Sequence, residues 1–258
     1  MHETTLDLRG LQVRLLRGGR GLPLLYLHDT FTLAWLPVHN RLATACEVFF
    51  PVHPGCAGAA GLEHFDDLED LVFYYLDLCE ALHLERPVLL GASLGGWLAA
   101  EMAVRYSHLL RGLVLVGALG LHLPAAPATD LFRLDPAQVR AALFADPTAP
   151  LAQRLVPDTP DPAALPSLLQ ARQMLARFAW QFPDNPKLAR YLYRVRLPTL
   201  IVWGAQDGVV PPAHGQAYQE AIAGSQLVVL PQCGHLPHAE QPEAFARVVL
   251  DWLARLTP

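Results

Sequence analysis

The residues from Val88 to Ala100, Val-Leu-Leu-Gly-Ala-Ser-Leu-Gly-Gly-Trp-Leu-Ala-Ala, leave the chain few paths to follow. Pro87 opens a short apolar run with no polar face, the pattern of a strand buried on both sides. Gly-x-Ser-x-Gly comes next, from Gly91 to Gly95, and Ala-, Leu- and Met-rich sequence of helical character runs on from it. A strand, a sharp turn and a helix are the surroundings in which a serine can stand as an exposed nucleophile. Gly91 and Gly95 lack Cβ atoms, so a tight turn can hold Ser93 at a backbone angle most residues avoid. The hydroxyl would then stand above the sheet edge, where the N-terminus of the next helix favours developing negative charge.

The same alternation runs along most of the chain. Leu11–Leu15 reads as a half-buried strand, and Pro23–His28 as the first fully apolar one, ending at His28-Asp29-Thr30-Phe31. Glu47–His53 is a further strand, closed by Pro54-Gly55-Cys56-Ala57-Gly58. From about Phe65 to Leu82, apolar residues recur at three- and four-residue intervals behind Asp66, Asp67, Glu69 and Asp70, which marks an amphipathic helix. Leu113–Ala118 is another buried strand, Pro198–Gly204 and Ser225–Leu230 are further strands, and a last helix spans about Pro242 to Leu256. Strands alternating with helices predict an α/β class, a doubly wound, mainly parallel sheet. Between Leu121 and Pro186 the sequence is dense in proline and alanine and has no strand-like run. Residues 1–120 and 187–258 are therefore read as the core, and 121–186 as a helical lid inserted over the strand ends.

Composition closes off several function classes. A formal net charge of -5 gives no electrostatic case for binding nucleic acid or an anionic membrane. No apolar run approaches the ~18–20 residues of a membrane span. The first residues, Met1 to Asp7, are too polar and acidic for a secretory signal, so a cytoplasmic location is expected. Cys46, Cys56, Cys79 and Cys233 show neither Cys-x-x-Cys spacing nor disulfide density and are expected to be reduced and structural. No cofactor or metal is expected: there is no His-x-x-x-His or cysteine cluster, and Gly91-x-x-x-Gly95-Gly96 lacks the Lys-Ser/Thr of a phosphate-binding loop.

A serine hydroxyl is a weak nucleophile until a base takes its proton and a third group orients that base. Asp207 follows Trp203-Gly204-Ala205-Gln206 directly after a strand, and His235 follows Leu230-Pro231-Gln232-Cys233-Gly234 after the next. In open α/β sheets, sites form at the carboxyl ends of strands, where Ser93, Asp207 and His235 would all lie. Asp207 alone could be a turn former in Asp-Gly, and His235 alone a plain loop histidine. The partnership of the two is what distinguishes them. His238 reads as a surface or pocket residue, and Asp130, ten residues past Gly120, as a lower-ranked acid.

With these residues assembled, the chain resembles the α/β-hydrolase superfamily over nearly its full length. Leu27-His28, His53-Pro54-Gly55, Gly91-Ala-Ser-Leu-Gly-Gly96, Trp203-Gly-Ala-Gln-Asp207 with Val210-Pro211, and Gly234-His235 with Glu240 and Pro242 carry the likeness. The resemblance implies the α/β-hydrolase fold, with the lid after the sixth strand. It also implies a serine hydrolase with Ser93 as nucleophile, His235 as general base then acid, and Asp207 orienting the imidazole. The backbone N–H groups of Leu94 and Thr30 would form the oxyanion hole. The family usually has His-Gly where this chain has His28-Asp29. The Asp29 side chain is expected to turn away from Ser93, held by neighbouring N–H groups or a basic or hydroxyl partner. On that expectation, Asp29→Gly would leave activity similar or modestly higher.

A serine at the elbow excludes the dehalogenase and epoxide hydrolase reactions of relatives that use aspartate there. Acyl transfer to water remains: a small, mainly apolar ester, lactone or thioester. The alternative is carbon–carbon hydrolysis of the vinylogous diketones made by aromatic ring cleavage. Such enzymes resemble this chain through the C-terminal third and characteristically bind a substrate carboxylate through a lid arginine, for which Arg172 or Arg177 could serve. Against this reading, Leu236 follows the histidine where those enzymes tend to carry tryptophan, and Gly208 follows Asp207 in place of arginine. Asp29 and Leu236 are further candidates for contact with substrate. A non-enzymatic module that keeps the pocket and a residual triad is the third reading, since fold does not fix function.

Overall fold

The computed structural model describes residues 1–180 and 183–256. Eight strands form one sheet among these residues: β1 (His2–Leu8), β2 (Leu11–Gly19), β3 (Leu22–Leu27), β4 (Cys46–Pro51), β5 (Val88–Ala92), β6 (Gly112–Val116), β7 (Thr199–Gly204) and β8 (Gln226–Leu230). Their spatial order is β1-β2-β4-β3-β5-β6-β7-β8. The pairs β1–β2 and β2–β4 are antiparallel, and every later pairing is parallel. The doubly wound, mainly parallel sheet expected from the sequence is thus present. Central strands β5, β6 and β7 are buried at every position, as their unbroken apolar runs require.

The helices are α1 (Pro37–Leu42), α2 (Leu68–Ala81), α3 (Leu94–Tyr106), α4 (Pro136–Leu143), α5 (Pro150–Leu155), α6 (Leu165–Ala179), α7 (Leu188–Tyr191), α8 (Ala213–Ala221), α9 (Pro237–Glu240) and α10 (Pro242–Leu253). The acidic run before α2 performs as its composition suggests: Asp67 caps the helix by accepting from the N–H groups of Glu69 and Asp70. Helices α4 to α6 lie between β6 and β7, joined by turns and irregular chain, so the proline-rich segment is helical in part. No described helix is long and apolar enough to cross a membrane.

One strand is not foreseen by composition. Met1–Asp7 reads only as polar and acidic, yet His2–Leu8 forms the sheet's outer strand through a hairpin onto β2. Only Leu8 in it is buried, so its stability comes from ladder hydrogen bonds more than from apolar burial. A polar edge strand carries almost no hydrophobic signal, which is why periodicity misses it.

Candidate active site

Ser93 links β5 to α3 with φ 54° and ψ -115°, a conformation that costs a non-glycine residue about 1–3 kcal/mol. Its N–H donates to Val116 O on the neighbouring strand at 2.9 Å, and its carbonyl accepts from Trp97 N at 3.1 Å and Leu119 N at 3.2 Å. The strain is therefore borne by the serine itself. Neither Gly91 nor Gly95 adopts a positive φ; what they supply is space. A Cβ on Gly91 would stand 2.2 Å from Gly95 O, and one on Gly95 would stand 2.2 Å from Leu27 O. Both atoms belong to backbone that cannot swing aside. Gly95→Ala is accordingly expected to destabilise the fold by about 1–3 kcal/mol or more, because α3 must back away from β3. A melting temperature equal to that of the parent protein would refute this close approach.

Asp207 lies just beyond β7 and His235 just beyond β8, so the parallel order of the strands delivers both to the end where Ser93 stands. His235 Nδ1 is 2.9 Å from Asp207 Oδ2 and Nε2 is 2.9 Å from Ser93 Oγ, with both the imidazole and the carboxylate inaccessible to solvent. The other carboxylate oxygen of Asp207 accepts from the N–H groups of Val209 at 2.9 Å and Val210 at 2.8 Å, which fixes its orientation. Burial alone would lower the pKa of His235. The Asp207 carboxylate and its hydrogen bond, with Asp29 and Glu240 further off, outweigh burial and raise it. Asp130 takes no part: it is exposed, accepts from Phe132 N at 3.0 Å and lies 3.9 Å from Arg133.

The loops carrying Asp207 and His235 are held by the end of α4. Ala142 O accepts from Gly208 N at 3.0 Å, and Leu143 O accepts from His235 N at 2.7 Å. These are C-terminal carbonyls of the helix, which have no partner within it. Glu240 completes the brace: one carboxylate oxygen accepts from Gly234 N at 2.9 Å, the other from Ala145 N at 2.9 Å. Burial raises the pKa of Glu240 despite these bonds. Sequence reasoning assigned α4 no contact with the Asp207 and His235 loops, and gave Glu240 no task. The backbone carbonyls leave no mark in the sequence.

The loop after β3 is built around the Asp29 carboxylate. Asp29 is wholly buried, and its carboxylate does turn to neighbouring N–H groups and hydroxyl and basic partners. Oδ1 accepts from Phe31 N at 2.5 Å and Thr32 N at 2.7 Å; Oδ2 accepts from the Thr32 hydroxyl and lies 3.0 Å from His238 Nε2. Burial alone would raise its pKa, but His238 and Thr32 hold it well below the usual carboxylate range. With Phe31 and Thr32 committed to this carboxylate, Thr30 is the residue of the turn whose N–H it does not take. Leu94, as the first residue of α3, likewise has an N–H with no intrahelical acceptor. The loop rests on neutral histidines: His28 Nε2 accepts from His53 N at 2.9 Å, and His53 Nε2 donates to His28 O at 2.8 Å. Burial lowers the His28 pKa to about 4 and that of His53 well below normal.

Ser93 opens into a cavity of about 280 Å³ walled by Phe31, Leu119, Leu121, Leu131, Phe132, Leu175, Trp180 and Val209. Its charged neighbours are acidic, Asp130 and Asp184, the latter 3.0 Å from His122 Nδ1. No described arginine or lysine lines it. A second cavity of about 180 Å³ shares Phe31, Leu131, Phe132 and Leu175 with the first and continues past Thr30 among Val139, Leu165, Leu168 and Leu169.

Four residues expected to meet substrate lie elsewhere or are otherwise engaged. Arg177 donates to Phe65 O at 2.8 Å and to Asp66 at 2.9 Å, so its charge is held across the cleft between α6 and the turn before α2. Arg172 borders only the second cavity, with its guanidinium on Leu131 O at 3.2 Å. Leu236 is fully buried outside both cavities, because the chain turns into α9 directly after His235. Asp29 is sealed off as described. His238, read from sequence as a surface or pocket residue, is fully buried against Asp29. Within the segment between β6 and β7, Leu131, Phe132 and Trp180 line the Ser93 cavity, whereas Leu143, Phe144 and Met174 belong to the core. The four cysteines are free; burial pushes Cys46 up to about 11 and Cys56 and Cys79 up to about 12, which suits a structural role.

The alpha/beta hydrolase family model matches residues 24–248, from β3 into α10. The chain is an alpha/beta hydrolase. Its relatives include the 2-hydroxy-6-oxononadienedioate/2-hydroxy-6-oxononatrienedioate hydrolase of Escherichia coli, 30% identical over 68% of this chain and 65% of that protein. The 2-hydroxy-6-oxo-2,4-heptadienoate hydrolase of Pseudomonas putida is 27% identical over 95% of this hydrolase and 94% of its own length. Among solved structures, a bacterial membrane phospholipase A shares the fold with a TM-score of 0.81 at 23% identity, covering 99% of this chain and 86% of that one.

Proposed function

We propose that this hydrolase cleaves a small, mainly apolar carboxylic ester, lactone or thioester through an acyl-enzyme. The observation that carries the reading is the unbroken hydrogen-bonded run from Asp207 through His235 to Ser93 Oγ at the wall of an apolar cavity. In the first step Ser93 Oγ attacks the carbonyl carbon while His235 Nε2 takes its proton. The carbonyl electrons move onto oxygen, and the resulting oxyanion is met by the N–H groups of Leu94 and Thr30. Collapse of this intermediate expels the alcohol or thiol, which receives the proton from His235. Water then repeats the sequence on the acyl-enzyme and releases the acid and the serine. Asp207 keeps the imidazole in the tautomer that can accept at Nε2 and stabilises the imidazolium that forms. The segment 121–186, in this reading, is the lid that shapes the cavity. Gln181 and Phe182 of it lie outside the described residues.

The carbon–carbon reading draws support from the names of the relatives, whose substrates carry carboxylates. The acidic and apolar lining beside Ser93 favours the ester: a carboxylate there would face Asp130 and Asp184 and find no described cation. Residual binding without chemistry is disfavoured because the Asp29 carboxylate, the feature that suggested it, is taken up by Phe31 N, Thr32 and His238. Two substrate series assayed side by side test the choice. p-Nitrophenyl esters with short or aromatic acyl groups are expected to be cleaved well, and charged ones poorly. Turnover of a carboxylate-bearing ring-cleavage diketone, abolished by Arg172→Ala or Arg177→Ala while esters are ignored, would establish the carbon–carbon reaction instead.

The pH profile supplies a further check. Turnover requires His235 neutral, and its pKa is raised, so kcat/KM should fall on acidification with a midpoint above the ordinary histidine value of about 6.5. Flat activity through that region would contradict the assignment of His235 as base.

A further inference from the structure

The alpha/beta hydrolase reading uses Asp207 and His235 but leaves a second buried acid–histidine pair unexplained. Asp29 and Thr32 belong to the loop after β3, and His238 to α9, one turn beyond His235. All three side chains are nearly or wholly buried, with Thr32 2% exposed. His238 Nε2 lies 3.0 Å from both Asp29 Oδ2 and Thr32 Oγ1, and Thr32 also donates its hydroxyl and N–H to the same carboxylate. The His238 ring packs between Tyr26 and Phe245, at centroid distances of 6.2 and 6.1 Å, so it has little freedom to turn. One carboxylate therefore ties the turn that contains Thr30 to the segment that continues from His235.

Other tethers of the His235 loop, Leu143 O and Glu240, do not reach the loop after β3. Among the described residues, the side-chain hydrogen bonds that cross from one to the other are those of His238 Nε2 with Asp29 Oδ2 and with Thr32 Oγ1. Resting on the acyl-transfer reading above, we propose that Asp29, Thr32 and His238 are positioning residues that hold the Thr30 N–H in register with His235 and Ser93. The physical basis is that an oxyanion donor acts by being in place before charge develops. A misplacement of about 1 Å can cost about a hundredfold in rate. Asp29 thus compensates in this chain for the glycine it replaces: the turn is stapled where the usual residue would leave it free. This reverses the sequence-based expectation for Asp29→Gly, since removing the carboxylate leaves the Thr32 hydroxyl and His238 buried without their acceptor.

The test compares His238→Phe, which keeps the ring and loses the donor, with His238→Gln, which keeps an N–H, and with Thr32→Val. Ester turnover and the rate of Ser93 labelling by a fluorophosphonate are both measured on folded protein. His238→Phe is expected to lower kcat and the labelling rate about tenfold or more with KM changed by less than about threefold, as loss of transition-state stabilisation requires. Gln should restore most of the loss, and Thr32→Val should lower kcat by a smaller factor in the same direction. A folded His238→Phe enzyme with kcat and labelling within about twofold of the parent would overturn the proposal, because a purely structural pair affects stability alone. If His238→Phe does not fold, Thr32→Val decides: unchanged kcat overturns the proposal, and a fall at constant KM supports it. A parent enzyme that neither labels at Ser93 nor cleaves any ester overturns the acyl-transfer reading, and this proposal with it.

Discussion

Ser93→Ala is expected to abolish ester cleavage, lowering kcat by at least about ten-thousand-fold while the fold persists. The attacking oxygen is removed, and no other side chain stands where it stood. The four cysteines are free thiols; burial raises the pKa of Cys46, Cys56 and Cys79 to about 11 or 12 and pushes Cys233 up as well, so none offers a ready thiolate. Alanine tolerates the positive φ at this position no better and no worse than serine, so the backbone strain is carried over unchanged. The variant should melt close to the parent and should not react with a fluorophosphonate. Retention of more than about a tenth of parental turnover would remove Ser93 from the role of nucleophile.

Asp207→Asn should be nearly as severe, with kcat reduced by about a thousandfold or more. An asparagine can still accept from Val209 and Val210 N–H through Oδ1. It then presents an NH₂ group to His235 Nδ1, which forces the ring proton onto Nε2. That nitrogen can no longer take a proton from Ser93. Loss of the neighbouring anion also removes the main influence that raises the His235 pKa, so whatever activity remains should persist to lower pH than in the parent. Asp130→Asn should change kcat by less than about threefold, because that carboxylate is exposed and bonded to Phe132 N. Were the two variants to behave in reverse, the acid would have to be sought after β6 and the geometry of Asp207 read as structural.

Much of the site was legible before the structure because its chemistry is local. The run from Pro87 through Gly95 encodes a buried strand, a crowded turn and a helix start within one short stretch. Asp207 and His235 each follow an unbroken apolar strand, so parallel pairing alone sends them to the same sheet edge as Ser93. What remained hidden depends on contacts between segments far apart in the chain. The carbonyls of Ala142 and Leu143 brace the Asp207 and His235 loops, and a backbone acceptor looks the same in every sequence. Arg172 and Arg177 present identical charge patterns as substrate ligands or as tethers, and only their packing on Leu131 and on Phe65 and Asp66 separates the two. His238 and Asp29 lie on opposite sides of the chain's length, and neither residue type predicts full burial. The sequence by itself determined which residues could react and at which edge of the sheet they would gather, because strand polarity and glycine sterics are encoded within a few residues. Tertiary structure alone decided which charged groups are sealed inside and which face the cavity, because that outcome is set by the complementary fit of loops joined only through space.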